Sequence, residues 1–145
     1  MLPTLNGRLQ TRIFMLVVFG GVITLLITPL LPGLDLSGDS YRTTYAILLT
    51  VLVLGVLWEL LYHFIQQFRW EKDWPTMFGL LTGINEGALV WLLLALEVVP
   101  GVDGVPSFWA FFIMFGVIWL VIWVWTNGPM RVPFIRWRFF GGRIV

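Results

Sequence analysis

The stretch TTYAILLTVLVLGVLWELLYHFI, residues 43–65, decides the fold of this chain. It is about 20 residues long, the length that an α-helix needs to cross a hydrocarbon core of ~30 Å. Glu59 and His63 are its only residues of the Asp, Glu, His, Lys and Arg types. The stretch therefore predicts one membrane-spanning helix that carries two costly polar groups.

Three further apolar runs of similar length flank this stretch, at residues 13–31, 76–99 and 108–126. Proline and glycine residues interrupt the chain between them, as expected where a helix leaves a membrane. Because the connections are short, neighbouring helices should pack against each other in opposite directions. We therefore predict an all-α integral membrane protein with one domain, residues 1–145, in which four transmembrane helices form a compact antiparallel bundle.

The composition agrees with a membrane protein and excludes several function classes. Of 145 residues, 59% are hydrophobic and 12% are charged, and the mean hydropathy is +0.89, well outside the usual range for a soluble domain. A net charge of +1 gives no basic surface for nucleic acid. The absence of cysteine excludes disulfides, thiolate chemistry and iron–sulfur ligation, and a single histidine excludes a bis-histidine haem within one chain. No cofactor is indicated.

The basic residues predict the orientation. Eight of the nine Lys and Arg residues fall on one predicted side of the membrane: Arg8, Arg12, Arg69, Lys72, Arg131, Arg136, Arg138 and Arg143. Only Arg42 falls on the other side. Because cytoplasmic segments are enriched in Lys and Arg, both termini are predicted to be cytoplasmic, in the inner membrane if the source is a bacterium.

An intramembrane polar cluster is the first candidate site. Glu59 and His63 are four residues apart on the second helix, and Glu86 lies at a comparable depth on the third. A charged group inside a span costs a few kcal/mol unless it is paired, protonated or hydrated. Three interpretations stay open: a structural network that fixes helix register, a proton or ion relay, and a metal site built from one imidazole and two carboxylates.

Glycines on the third helix predict close packing. Gly79, Gly83 and Gly87 repeat every four residues, the small-xxx-small pattern that lets a neighbouring helix approach. They lie on the same side of this helix as Glu86. The simplest arrangement therefore buries the face of the second helix that carries Glu59 and His63 against the face of the third helix that carries Glu86.

The segment 129–145 after the fourth helix is too basic to span a membrane and too apolar to extend into water. We expect it to lie at the membrane surface as an interfacial tail. Its candidate contacts with lipid or with a partner protein are Arg131, Arg136, Trp137, Arg138 and Arg143.

These observations favour a non-catalytic accessory or scaffold subunit of a larger membrane assembly, since no residue pattern indicates a catalytic site. Its expected partners are the lipid bilayer and either another protein or further copies of the chain. A small proton- or ion-coupled transporter or channel that uses Glu59, His63 and Glu86 is the alternative. A metal-dependent membrane enzyme with the same three residues as ligands is the third hypothesis.

Overall fold

The computed structural model of this chain describes residues 3–145 and is helical throughout its regular structure. Four helices are long and apolar enough to cross a membrane: Leu5–Leu30, Gly38–Gln67, Thr76–Ala95 and Phe108–Arg131. The prediction of an all-α chain with four candidate spanning helices is therefore confirmed. We call these helices the first to fourth span.

The first span is built from four pieces, the last of them a 3₁₀ turn, and the other spans each contain one main helix. Their bounds are α1 (Leu5–Met15), a π-helical turn (Leu16–Gly20), α2 (Gly21–Ile27), α3 (Gly38–Gln67), α4 (Thr76–Ala95), α5 (Phe108–Asn127) and a short α6 (Ile135–Phe139). Turns of 3₁₀ helix at Thr28–Leu30 and Pro129–Arg131 extend the first and fourth spans.

The first span begins well before the predicted residue 13. The side chain of Thr4 caps α1 by accepting a hydrogen bond from the backbone N–H of Gly7. Arg8 and Arg12 therefore belong to the helix and do not flank it. The two arginines were predicted to precede the helix, because Lys and Arg commonly flank a spanning segment.

The second and third spans also differ from their predicted limits. Helix α3 starts at Gly38, where the Ser37 hydroxyl accepts from the N–H of Ser40, and extends to Gln67. Helix α4 ends at Ala95 and not at residue 99, because Glu97 takes a positive φ of 54° that turns the chain out of the helix. The fourth span matches its prediction to within a few residues.

An apolar core joins all four spans. Leu16 from the first span, Val51 from α3, Val90 from α4 and Met114 from α5 are each at most 5% exposed and belong to one contact cluster. A second, smaller cluster of Met15, Met130 and Trp137 packs the C-terminal segment against the first span. The described segments nearest the two termini meet at one end of the bundle, where Thr4 bonds to the carbonyl of Gly141, and we call this the termini end.

The glycine row of α4 lies against aromatic rings of α5. A Cβ added at Gly83 would lie 2.5 Å from Nε1 of Trp119, and one added at Gly87 would lie 2.9 Å from the Phe115 ring. The rings of Phe115 and Trp119 stack with centroids 5.3 Å apart. The glycines therefore create a groove for side chains of α5.

Replacing Gly83 with alanine should destabilise the bundle, because the new methyl group overlaps the Trp119 indole. Overpacking of this kind costs about 1–3 kcal/mol. Gly116→Ala on α5 is the matched control, since its Cβ would have no neighbour within 4 Å. Thermal unfolding in detergent, followed by circular dichroism, should show a lower midpoint for Gly83→Ala alone. Equal midpoints for both variants would show that the groove does not hold the indole.

Candidate functional site

Two arginines of α1 lie inside the bundle. The side chains of Arg8 and Arg12 are only 7% and 9% exposed. Arg12 lies about 10 Å along the helix axis from Leu5, at 1.5 Å rise per residue. Two cations that the sequence interpretation placed outside the first helix are therefore buried beside the second and third spans.

Arg12 joins the two carboxylates of these spans. Its Nη1 and Nη2 donate to the two carboxylate oxygens of Glu86 at 2.6 and 2.9 Å, and its Nε donates to Oε1 of Glu59 at 2.9 Å. The Glu86 side chain is 2% exposed, so water does not compete for these bonds. A planar guanidinium suits this double engagement, whereas a lysine ammonium does not.

Arg8 completes the group. Its Nη1 donates to Oε2 of Glu59 at 3.2 Å, while its Nε and Nη2 donate to the amide oxygen of Gln66 at 3.2 and 2.7 Å. The ion cluster, defined as Arg8, Arg12, Glu59 and Glu86, contains two formal positive and two formal negative charges. It is therefore neutral as a unit when all four groups are ionised.

Neighbouring residues shape the space for these side chains. A Cβ at Gly55 would lie 2.6 Å from Nη1 of Arg12, so only glycine leaves room for the guanidinium at that position of α3. The Trp119 ring lies 5.7 Å from the Arg12 guanidinium carbon, a cation–π distance. Its indole N–H donates to the carbonyl of Gly79 at 3.1 Å. Trp119 thus connects the glycine row to the ion cluster.

The structure brings Glu59 and Glu86 together through Arg12, but His63 takes no part in the ion pairs. The buried stripe of α3 contains Gly55, Glu59, Tyr62 and Gln66, and His63 lies at its edge, partly exposed. The polar neighbour of its Nε2 is the Gln67 amide at 3.4 Å.

The structure offers no ligand set of the predicted metal site. Among the described residues, no group of three or more His, Cys, Asp and Glu side chains could hold a metal ion. Both carboxylates of the ion cluster accept hydrogen bonds from arginine instead.

A cavity of about 450 Å³ lies at the termini end, and Arg12, Glu59 and Tyr62 are among the residues that line it. Its walls include the aromatic residues Trp74, Trp119, Trp123 and Trp137, and Arg131 lies among its lining residues. Residues near both termini, Pro3 and Gly142, also contribute. The cavity therefore combines aromatic walls with arginine side chains, and three members of the ion cluster line it: Arg8, Arg12 and Glu59.

The C-terminal segment packs against α1. The Trp137 indole N–H donates to Oγ1 of Thr11 at 2.8 Å, and the Thr11 hydroxyl donates to the carbonyl of Gly142 at 3.0 Å. Trp137 is 3% exposed and so faces the protein. The four arginines predicted to contact lipid or a partner are all exposed: Arg131, Arg136, Arg138 and Arg143.

The sequence contained signals for the two missed arginines. Thr4 is a good N-cap residue and comes just before Leu5, which indicates an earlier helix start. Arg8 and Arg12 are four residues apart and so share one helix face. Two buried carboxylates with no cation in their own spans also required a positive partner from elsewhere in the chain.

Replacing Arg12 with glutamine should strongly destabilise the protein, because Glu59 and Glu86 would lose their shared cation inside the bundle. Breaking a buried ion pair in this way costs about 3–5 kcal/mol. Arg42→Gln is the matched control, since the pair of Arg42 with Asp103 is long, at 3.5 Å, and exposed.

Thermal unfolding of the wild type and both variants in the same detergent checks this. We expect a large fall in midpoint for Arg12→Gln and almost none for Arg42→Gln. Similar midpoints for all three proteins would show that the ion cluster does not support the fold.

Comparison with known proteins finds no matching protein family, no similar curated protein and no similar solved structure.

Proposed function

We propose that this chain is a non-catalytic accessory or scaffold subunit of a larger membrane protein assembly. The observation that carries the proposal is the position of Asn85, the tenth residue of the 20-residue helix α4. This amide lies about 14 Å along the helix from Thr76, near the middle of the span. It is exposed, and it forms no hydrogen bond with any residue in the range 3–145.

An unpartnered amide at this depth is unfavourable in lipid, because hydrocarbon offers no hydrogen-bond donor or acceptor. In membranes, Asn side chains commonly bond across helix interfaces, with about 0.6–2 kcal/mol for each bond. A protein partner that packs on α4 would supply the missing bond.

The residues around Asn85 fit a helix interface. We define the α4 outer face as the exposed residues at three- and four-residue spacing on this side of the helix: Leu81, Ile84, Asn85, Ala88 and Leu92. Its large apolar members are 49–68% exposed. Ala88, one turn from Asn85, is small enough to let a partner helix come close to the amide.

The ion cluster supports a structural role for the buried charges. Both carboxylates already accept from guanidinium groups, and Arg12 holds α1, α3 and α4 together. A network that holds three helices in a fixed register already explains why these charged residues are buried, without any catalytic or transport role for them. This supports the scaffold hypothesis over one that requires chemistry at Glu59 or Glu86.

One observation favours the alternative of a small transporter or channel, namely the cavity that Arg8, Arg12 and Glu59 of the ion cluster line. Further along the spans, however, Val51, Val90 and Met114 belong to a continuous apolar core. Transport would therefore require the spans to separate as well as the arginine pairs to open. The metal-enzyme hypothesis has no ligand set in residues 3–145 to support it.

The proposed orientation places the termini end in the cytoplasm, and the membrane is the inner one if the source is bacterial. Exposed arginines at this end, including Arg136, Arg138 and Arg143, support the proposal. They would meet anionic headgroups or a partner at the membrane surface.

Photo-crosslinking in native membranes tests the proposal. A photoreactive amino acid at Ile84 should give one defined protein adduct, whereas the same group at Leu120 on α5, which is 53% exposed, should give lipid adducts only. Adding Asn85→Leu should reduce the protein adduct several-fold, because the interhelical hydrogen bond is lost. Lipid adducts alone at both positions would contradict the proposal.

A further inference from the structure

We propose that the cavity at the termini end binds one anionic amphiphile, with a phosphate or carboxylate head near Arg8 and Arg131 and an apolar part along the indoles of Trp119 and Trp123. This inference stands apart from the assembly proposal, because it concerns the interior of the bundle and not the α4 outer face.

The size of the cavity fits a ligand of this class. At about 450 Å³ it falls within the ~300–1,000 Å³ typical of small-molecule sites. It accommodates a headgroup and the adjoining part of a tail.

The carboxylates in the cavity wall are already occupied. Glu59 accepts hydrogen bonds from Arg8 and Arg12, and Asp73 accepts from Arg69 at 3.0 and 3.3 Å. Each of these carboxylates is therefore paired with a cation and should not repel an anion.

The hydrogen-bond donors in the wall are only partly used. A guanidinium has five N–H groups, and Arg8 directs three hydrogen bonds to Glu59 and Gln66, which leaves two N–H groups. The Tyr62 hydroxyl is also buried, in a residue that is 5% exposed, but it lies beside the Glu86 carboxylate and is therefore not counted as a free donor. The spare hydrogen-bonding capacity is thus of the donor type.

Arg131 adds an uncompensated charge. It makes no ion pair with any carboxylate in residues 3–145, and its contact with the Asn127 side chain is long, at 3.5 Å. Guanidinium groups form strong charge-assisted hydrogen bonds to phosphate and carboxylate oxygens. An anionic head is the ligand group that uses both this charge and the spare donors.

The aromatic walls fit the apolar part of such a ligand. The indole N–H groups of Trp119 and Trp123 are bonded to backbone carbonyls of α4 at 3.1 and 3.0 Å. These bonds fix the rings in the wall and leave no polar atom of the indoles to satisfy. A hydrocarbon chain can therefore lie along them without stranding a donor.

The test is native mass spectrometry of the full chain in a neutral detergent. The probes are short-chain phosphatidic acid, short-chain phosphatidylcholine and glycerol 3-phosphate. We expect phosphatidic acid to saturate at one molecule per chain, and phosphatidylcholine to bind on the order of tenfold more weakly because its headgroup has no net negative charge. Glycerol 3-phosphate should bind more weakly than phosphatidic acid, because it has no apolar chain to lie along the indoles. Equal binding of the two would overturn the proposal of an amphiphile.

Variants distinguish the cavity from the membrane-facing surface. Arg131→Gln should weaken binding on the order of tenfold, because the ligand head loses a charge-assisted hydrogen bond. Arg143→Gln is the matched control, because Arg143 is exposed and does not line the cavity. Equal effects of Arg131→Gln and Arg143→Gln, or binding of several molecules without saturation, would overturn the proposal.

Discussion

The guanidinium of Arg12, held between Glu59 and Glu86, is the interaction on which the rest of this bundle depends. Each of these three charged groups costs several kcal/mol to bury alone, and their mutual hydrogen bonds are what make burial tolerable. The contact also joins three helices, since Arg12, Glu59 and Glu86 come from α1, α3 and α4. Charge neutrality inside the membrane therefore fixes how the first span is placed against the next two.

Other features of the sequence follow from that placement. Gly55 leaves the space that the guanidinium occupies, and Gly83 leaves the space for the Trp119 ring beside it. Because α1 reaches deep enough to deliver Arg12, its second turn lies where the C-terminal segment can pack on it through Thr11 and Trp137. The cavity remains between these elements and is lined in part by Arg8, Arg12 and Glu59 of the ion cluster. A structural network and a ligand site can thus share the same residues.

Much of the fold was predictable because lipid imposes a length and a hydropathy on every spanning helix, and the four candidate spans were found from these alone. The two buried carboxylates were identified by the same argument.

Their partners were missed because Arg8 and Arg12 resemble an ordinary cytoplasmic flank, and the positive-inside pattern explains such residues without burial. His63 was grouped with Glu59 from their four-residue spacing, which places two residues on one helix face only approximately. In the structure Tyr62 and Gln66 are buried on that side of α3, and His63 is partly exposed. The exposure of Asn85 could not be predicted, because the apolar pattern of α4 did not determine which of its faces packs against the other helices.

A double-mutant cycle between Arg12 and Glu86 tests the central claim most directly. The free energy of unfolding in detergent would be measured for the wild type, Arg12→Met, Glu86→Met and the double variant. If the two side chains form the pair described, each single variant strands a buried charge, and the cycle should give a coupling free energy of about 2 kcal/mol or more, with the double variant more stable than the sum of the single effects predicts. A coupling near zero would mean that Arg12 and Glu86 do not meet inside the bundle, and the account of the first span would be wrong.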